Sequence, residues 1–411
     1  MDFFTEYLAY TSGGEVPVTF NRWSAIAGLS AILERSIYTP YGHSEIHPNI
    51  YCMLIGSAGT RKSTAIKLVK KLLLQSGYTS IAAERTSKEK FLADLSHQDN
   101  TDPLDEQIFG ETSESAVTPS FIAADEANDF FGIGNVEFLS VLGSLWDWTG
   151  KYENKIKTGK SDWIPNPTIT ILSGNTPTGF SLAFPSTILG QGFFSRLLLV
   201  YGEPNGKRIT FPRTPSKDET QAILQRIAQI KSFCSGEWNL TPTAINLVDK
   251  IYQTYKPPQD PRFESYSNRR ITHLLKLAQV VSAARMERGI TEECIVQTNT
   301  YLTYIESLMP KALGEFGKAK DSDITHRVLS IIEATERPIP LKSLWVSVSS
   351  ELDKIQDLST IIQKLLFANK IQTVNAGFLP IRRMIDHEDY VRDGVVDFER
   401  FLTHEELEIK K

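Results

Sequence analysis

Residues 50–64 decide the fold, and they read Ile50-Tyr51-Cys52-Met53-Leu54-Ile55-Gly56-Ser57-Ala58-Gly59-Thr60-Arg61-Lys62-Ser63-Thr64. The first six residues are an apolar run that predicts a buried strand, and apolar residues at helical spacing follow Thr64. A strand, a glycine-containing loop and Lys-Ser at the start of a helix are the pattern of a phosphate-binding loop. We therefore predict that residues 56–64 hold the phosphates of a nucleotide.

Each part of this loop has an expected task. Small residues let backbone N–H groups wrap around phosphates, and the helix N-terminus adds partial positive charge. Lys62 is expected to reach the β- and γ-phosphates of ATP, and the Ser63 hydroxyl to hold Mg²⁺. The usual pattern G-x-x-x-x-G-K-[ST] has glycine where this chain has Arg61, so the loop must avoid a strained backbone there or take a different path. The alternative is an ordinary glycine-bearing turn before a helix.

The second motif is a pair of acids at the end of a short apolar strand. The stretch reads Ser120-Phe121-Ile122-Ala123-Ala124-Asp125-Glu126. In P-loop ATPases a strand-end acid holds the Mg²⁺ shell and its neighbour polarises the attacking water. We assign Asp125 to the first task and Glu126 to the second. By itself the motif also fits an ordinary strand-to-turn transition, but its position downstream of the phosphate loop favours catalysis.

Two more buried strands are predicted, at 167–173 and 196–201, and their alternation with helices indicates a parallel α/β core. Asn175 follows the first of them, where a polar side chain next to the phosphate loop could position the lytic water or sense the γ-phosphate. The alternative is a turn residue ahead of Thr176-Pro177, because Asn favours turns.

Residues 151–164 predict a β-hairpin, because their alternation is broken at Thr158-Gly159. Lys155, Lys157 and Lys160 lie at its tip, where lysines suit charge-driven contact with a nucleic-acid backbone. The alternative is a solvated hairpin whose lysines protect a strand edge.

Three arginines are candidates for contact with a nucleotide. Arg196 precedes a strand and could be an arginine finger that reaches a neighbour's γ-phosphate. Arg269 and Arg270 begin an amphipathic helix, and one of them could reach the nucleotide of the same subunit. All three could equally be surface arginines, and we give His273 of the same helix no catalytic role.

Composition sets wider bounds. The chain has 411 residues, enough for two or three domains, and a net charge of −5, so any contact with nucleic acid must be local. Its three cysteines are scattered, which indicates a reducing, cytoplasmic setting without disulfides or structural zinc. The N-terminus is unlike a signal peptide, and no apolar run is long enough to predict a membrane span.

The order of these motifs is similar to that of AAA+ ring helicases, most of all the minichromosome-maintenance and superfamily III branch, in which a hairpin lies between the acidic strand and the first sensor. More closely, the chain resembles the helicase module of phage and prophage primase-helicase-like proteins. The stretches that carry the resemblance are Asn21-Arg22-Trp23-Ser24-Ala25-Ile26, His47-Pro48-Asn49-Ile50-Tyr51, Gly59-Thr60-Arg61-Lys62-Ser63, Gly192-Phe193-Phe194-Ser195-Arg196 and Arg270-Ile271-Thr272-His273-Leu274-Leu275-Lys276-Leu277-Ala278.

The resemblance covers about residues 20–316. It implies a DNA helicase of phage-type replication in a bacterial or phage-infected cell: a hexameric ring with ATP between subunits and Arg196 acting in trans. Lys155, Lys157 and Lys160 would line a central channel for single-stranded DNA. Arg270 is preferred over Arg269 as the second sensor. Since no primase-like region is evident, we expect a separate primase or replisome protein as partner.

The expected organisation is an α/β P-loop AAA+ core with helical and winged-helix parts. Its segments are an N-terminal helical segment 1–48, an ATPase core 49–212, a helical lid 213–320, a winged-helix domain 321–385 and an acidic tail 386–411. The winged helix is predicted from three helices followed by a two-stranded wing. Its third helix is mostly apolar, so base reading is not expected. The tail is expected to be solvated or to bind a partner.

Two other classes stay open. A helicase loader or protein-remodelling AAA+ ATPase would share the same site without unwinding DNA. A non-enzymatic nucleotide switch or defence scaffold would assemble on ATP, although the intact pair Asp125-Glu126 argues against it.

Overall fold

The structure, a computed structural model, describes residues 2–96, 116–154, 162–190, 192–258, 260–314, 320–333, 335, 337–349, 352, 354–367, 371–380 and 394–408. The chain forms two compact units. The first comprises Met1–Gly314 together with Val391–Lys411, and the second is Glu315–Tyr390. The second unit is therefore inserted into the sequence of the first.

The strands of the first unit are β1 (Ile37–Tyr41), β2 (Ser44–Ile46), β3 (Tyr51–Ile55), β4 (Thr118–Ala124), β5 (Lys151–Asn154), β6 (Asp162–Pro165), β7 (Pro167–Asn175), β8 (Leu197–Tyr201) and β9 (Gly236–Glu237). Its helices are α1 (Phe3–Thr11), α2 (Val18–Leu33), α3 (Lys62–Gln75), α4 (Lys88–Ser96), α5 (Ala127–Phe131), α6 (Val136–Leu145), α7 (Pro177–Ala183), α8 (Lys217–Phe233), α9 (Pro242–Thr254), α10 (Glu264–Ser267), α11 (Arg270–Arg285) and α12 (Glu292–Leu313).

A parallel sheet of four strands in the order β4-β7-β3-β8 forms the core of this unit. Every residue of β3 and β7 is buried, as expected for central strands of a parallel sheet that is covered on both faces. Helices α2 and α3 pack on each other and against the sheet, and α12 packs against β8. The predicted α/β class is confirmed.

The register of the sheet fixes where loops meet. Ile55 lies opposite both Asn175 and Tyr201, and Ala124 lies opposite Ser173. The carboxyl ends of all four strands therefore lie at one edge of the sheet, which we call the carboxyl edge. Tyr51 lies opposite Leu197, so the amino ends of β3 and β8 share the opposite, amino edge.

Strands β5 and β6 pair in antiparallel register from Lys151↔Pro165 to Asn154↔Asp162. The predicted pair of strands at 151–164 is therefore present. The tip lysines Lys155, Lys157 and Lys160 lie outside the residues that the structure describes.

The second unit contains α13 (Lys320–Glu333), α14 (Leu341–Val348), α15 (Ile355–Phe367) and the antiparallel pair β10 (Ile371–Val374) and β11 (Gly377–Pro380). This order agrees with the predicted three helices and two strands. Leu358, Ile361 and Leu365 of α15 face a separate core shared with Val328 and Leu344, which explains why the third helix is so apolar.

Residues 394–408 of the predicted acidic tail, expected to be solvated or to bind a partner, instead pack as part of the first unit. They contain the short helices α16 (Phe398–Phe401) and α17 (His404–Glu408) and belong to the first unit. Glu406 is 1% exposed and accepts hydrogen bonds from Arg22 Nε at 2.9 Å and Nη2 at 2.6 Å. Burial raises the pKa of Glu406, but Arg22 and Thr403 outweigh it, so the net pKa is lowered.

The predicted divisions near residues 48 and 212 are not boundaries between compact units, because the N-terminal helices, the sheet and the helices up to Gly314 form one unit. Across the described part of the chain, no helix is both long and apolar enough to cross a membrane.

Candidate functional site

The loop between β3 and α3 is compact because Gly56 lies against two neighbours. A Cβ atom at Gly56 would be 2.6 Å from the carbonyl oxygen of Gly202 and 2.8 Å from Thr60 Oγ1, so no larger residue fits without a shift. Thr60 is 1% exposed, and its hydroxyl donates to the carbonyl of Ser57 at 2.8 Å. The loop therefore brings the chain directly to the N-terminus of α3, where Ser63 and Thr64 lie in the first turn.

Arg61 has a backbone conformation that glycine adopts most readily. Its φ of 64° and ψ of 22° lie in the left-handed region, so this position accommodates an arginine in a conformation that favours glycine. The guanidinium is held by Glu15, which accepts from Arg61 Nε at 3.0 Å and also from Nη2. The other oxygen of Glu15 accepts from the Ile209 N–H at 2.7 Å. The Ile209 N–H and then Arg61 lower the pKa of Glu15.

Lys62 folds back over the loop. Its Nζ donates to the carbonyls of Gly56 at 2.8 Å and Ser57 at 2.9 Å and to Thr60 Oγ1 at 3.2 Å. Burial lowers the pKa of the Lys62 ammonium group, and Glu126 acts in the opposite direction. The Lys62 ammonium group therefore sits among oxygen acceptors of the kind that a phosphate also offers.

Asp125 is tied to helix α3. Its Oδ2 lies 2.6 Å from Lys67 Nζ, and Lys67 is four residues after Ser63, so both side chains occupy one face of the helix. Asp125 raises the pKa of Lys67. Glu126 is exposed and lies in extended backbone just before α5. The two acids thus differ in setting: Asp125 is paired beside α3, and Glu126 is open to solvent.

Asn175 is the last residue of β7, not a turn residue. It is 1% exposed, its Nδ2 donates to Asn128 Oδ1 at 2.8 Å, and its Oδ1 accepts from the Thr176 N–H at 2.9 Å. The backbone carbonyl of Asn175 accepts from the Gly56 N–H at 3.3 Å. This bond joins the tip of β7 directly to the first residue of the loop.

Direct contacts link all these groups at the carboxyl edge. A Cβ atom at Gly174 would lie 2.6 Å from the carbonyl oxygen of Asp125, which shows how closely the ends of β4 and β7 approach. The structure therefore brings together the 56–64 loop, Asp125, Glu126 and Asn175. Ligand sites in open α/β sheets lie outside this edge.

Arg196 lies at the opposite edge. It directly precedes β8, whose first residue is level with Tyr51, so a five-residue strand of roughly 17 Å separates Arg196 from the loop of its own chain. Its Nη1 donates to the carbonyl of Gly192 at 2.6 Å, and its guanidinium lies 5.6 Å from the centre of the Trp146 ring. Its buried Nε has no hydrogen-bond partner within the described chain.

Arg269 shares this region with Arg196. Its Nη1 lies 3.6 Å from Asp147 Oδ2, and Lys276 Nζ lies 3.5 Å from Asp147 Oδ1. Burial first, and then the positive charge of Arg269, lower the pKa of Arg196. One carboxylate, Asp147, therefore faces several cations at the amino edge.

Arg270, which the sequence favours as the second sensor, has its contacts in the interior of the first unit. Arg270 is 5% exposed and donates from Nε to Glu306 at 2.7 Å and from Nη2 to Asn299 at 2.8 Å, which places it in a buried network between α11 and α12. His273 is fully buried, and burial lowers its pKa to about 3.

Sequence reasoning missed Glu15, Lys67, Asn128 and Asp147. Only Lys67 carries a visible signal, its spacing of four residues from Ser63. The other three meet their partners through contacts 46 to 122 positions apart, a separation that local patterns do not reveal. No protein-family model matches the chain, and no curated protein matches it significantly.

Proposed function

We propose that this chain is a P-loop ATPase with an AAA+ core that hydrolyses ATP between the subunits of a hexameric ring and translocates on DNA, as a replicative helicase does. One observation carries the ATPase proposal. The glycine loop with its folded lysine, the strand-end pair Asp125-Glu126 and the strand-end Asn175 meet at one edge of a parallel sheet.

Each group has a chemical task in this proposal. Backbone N–H groups at the start of α3 and the Lys62 ammonium group bind the phosphates of ATP. Glu126, exposed to solvent, accepts a proton from the water that attacks the γ-phosphorus. Asn175 Nδ2 carries two hydrogens and Asn128 takes one, so the other can hold that water in line.

The residues present also fit Mg²⁺. A hard cation of this kind prefers oxygen ligands and is usually bound by one or two protein groups plus substrate phosphates and water. Ser63 supplies a hydroxyl and Asp125 a carboxylate. Since no cluster of three or more His, Cys, Asp or Glu side chains suited to a metal occurs in the described ranges, such a site would depend on the nucleotide. When bound, Mg²⁺ would offset charge on the phosphates.

The position of Arg196 favours action in trans. Because β8 separates Arg196 from the loop of its own chain, we assign it to the nucleotide of a neighbour. In this proposal Arg269, which lies near Arg196 at the amino edge and is partly exposed, acts with Arg196 on the neighbour's nucleotide and not on that of its own subunit. Arg270 is held in a buried pair with Glu306. A ring supplies this geometry at every interface.

The DNA part of the proposal rests on the hairpin and on the second unit. Lys155, Lys157 and Lys160 would contact the phosphates of single-stranded DNA without reading sequence. We assign the second unit as a winged helix from its three helices and β-hairpin. Because the apolar face of α15 is used by its own core, we assign this unit to packing or to loose backbone contact.

The test is ATP hydrolysis with and without single-stranded DNA. It compares the wild type with a Lys155→Ala, Lys157→Ala, Lys160→Ala variant. A matched control removes the same charge from exposed helix positions, Lys71→Ala, Lys217→Ala, Lys250→Ala. We expect DNA to stimulate the wild type and the control but not the hairpin variant.

Other outcomes contradict parts of the proposal. Hydrolysis that is indifferent to DNA would contradict the motor and favour a helicase loader or remodelling ATPase. A protein that binds ATP without turnover would favour a nucleotide switch.

A further inference from the structure

Phe211 is one of the two most exposed aromatic residues in the part of the chain that the structure describes. Its side chain is 90% exposed. Burying a phenylalanine side chain stabilises a protein, and this residue forgoes that stabilisation in the isolated chain. An exposed apolar residue is common by itself, so its surroundings must decide whether it has a task.

The segment around Phe211 is fixed against the chain that precedes α2. The Ile209 N–H donates to Glu15 at 2.7 Å, and the Arg213 N–H donates to the carbonyl of Gly13 at 3.2 Å. A Cβ atom at Gly13 would lie 2.7 Å from Arg213 Cβ, so the two segments are in close contact. Phe211 lies midway between these two anchors, which holds its backbone in place while the ring stays open.

The same anchor leads to the phosphate loop. Glu15 binds Ile209 through one carboxylate oxygen and Arg61 through the other, and Arg61 is the residue before Lys62. Phe211 is two residues from Ile209, a reach of at most about 7 Å of extended chain. An exposed aromatic ring is thus tied, through one carboxylate, to the start of α3.

We infer that Phe211 is the platform on which the base of the bound nucleotide stacks. The inference rests on the proposed function, because it needs the triphosphate at the 56–64 loop. An aromatic ring stacks on any nucleobase, since every base has a π-face. Phe211 would therefore add affinity for nucleotides over inorganic phosphates without selecting one base.

Binding of Mg-ATP and of Mg-tripolyphosphate to the full chain, measured by titration calorimetry, tests this inference. Tripolyphosphate has the phosphates of ATP but no base. Phe211→Ala should weaken ATP binding about tenfold, within the range of one base–aromatic stack. It should leave tripolyphosphate binding unchanged. Phe211→Tyr should bind ATP like the wild type, and so should Ile245→Ala, a control at another exposed apolar position, 54% exposed on α9.

Two results would overturn the base platform alone: wild-type ATP affinity in Phe211→Ala, or an equal loss of ATP and tripolyphosphate, which would mean that the residue shapes the loop. A different result would overturn the proposed function and this inference together. That result is a wild type that binds neither compound, or a Lys62→Ala variant that binds both as the wild type does.

Discussion

Arg61 combines a backbone conformation suited to glycine with a side chain that reaches across to Glu15. Left-handed backbone costs a residue with a Cβ atom about 1 kcal/mol, and glycine avoids that cost. Because the guanidinium is held by a carboxylate from the segment before α2, this position gives the loop a link that glycine cannot supply.

We expect Arg61→Gly to be more stable than Arg61→Ala by about 1 kcal/mol. Both variants lose the contact with Glu15, so the difference between their free energies of unfolding reports the cost of left-handed backbone at residue 61. Urea denaturation midpoints measure this difference. Equal midpoints would show that residue 61 is not held in left-handed backbone.

Glu126→Gln should bind ATP but lose hydrolysis by about 10²- to 10⁴-fold, the usual contribution of a general base. The amide keeps the size of the side chain but cannot accept the proton from water. Single-turnover hydrolysis and nucleotide binding are measured side by side. Lys62→Ala is the comparison, because it should lose binding itself. Full turnover by Glu126→Gln would reject the assignment.

The length of β8 keeps Arg196 at one edge of the sheet and the phosphate loop at the other. If Arg196 acts on the neighbouring subunit, two inactive variants should complement each other. Arg196→Ala supplies an intact loop, and Lys62→Ala supplies an intact arginine.

Mixing these two variants in equal amounts should restore activity at about one interface in four, because random assembly in a head-to-tail ring produces that share of complete sites. ATP hydrolysis of the mixture is compared with each variant alone. No recovery in a mixture shown to form mixed assemblies, or full activity of Arg196→Ala alone, would contradict action in trans.

The four strands of the parallel sheet and helix α3 could be predicted because each carries its own signal. The apolar run at 51–55 and the periodicity after Lys62 are complete within a few residues. The sequence allows Asn175 to be either a polar residue at a strand tip or a turn residue. Only its pairing with Ile55 of β3 shows that it belongs to the strand. The partners of Arg61 and Asp125 depend on how α3 packs, which no short window of sequence contains.

The choice between Arg269 and Arg270 illustrates the same limit. The two residues are adjacent, but Arg270 turns into the network with Glu306 and Arg269 faces Asp147. The acidic composition of residues 386–411 predicts a solvated or partner-binding tail, whereas Glu406 is buried and pairs with Arg22.

The buried ion pair of Arg22 and Glu406 ties the C-terminal segment 394–408 to the rest of the first unit. Removing one partner of a buried ion pair costs about 3–5 kcal/mol, since the other charge is left uncompensated. Glu406→Gln should therefore destabilise the first unit while preserving the size of the side chain. Because the folded pKa of Glu406 is lowered, its contribution is present above the ordinary glutamate pKa and is lost as pH falls below it.

Wild-type protein should thus lose stability as the pH falls below the ordinary glutamate pKa, and Glu406→Gln should lose less over the same change. Denaturant titrations at several pH values measure the difference. An identical pH dependence in both proteins would contradict the role of the pair.

The two units should respond separately to core substitutions. Leu358→Ala removes a fully buried side chain from the core of the second unit and should cost that unit about 2–5 kcal/mol. Scanning calorimetry should show Leu358→Ala lowering one transition and Glu406→Gln lowering the other. Equal shifts of a single transition would show that the units unfold together.

The return of residues 394–408 to the first unit also sets an order of events during synthesis. Arg22 and Glu406 are 384 positions apart, so at about 5–20 residues per second the ribosome makes the carboxylate about 20 to 80 s after the guanidinium. Throughout that interval the nascent first unit carries an arginine without its eventual partner. Its last step of folding must wait until the inserted second unit has been made.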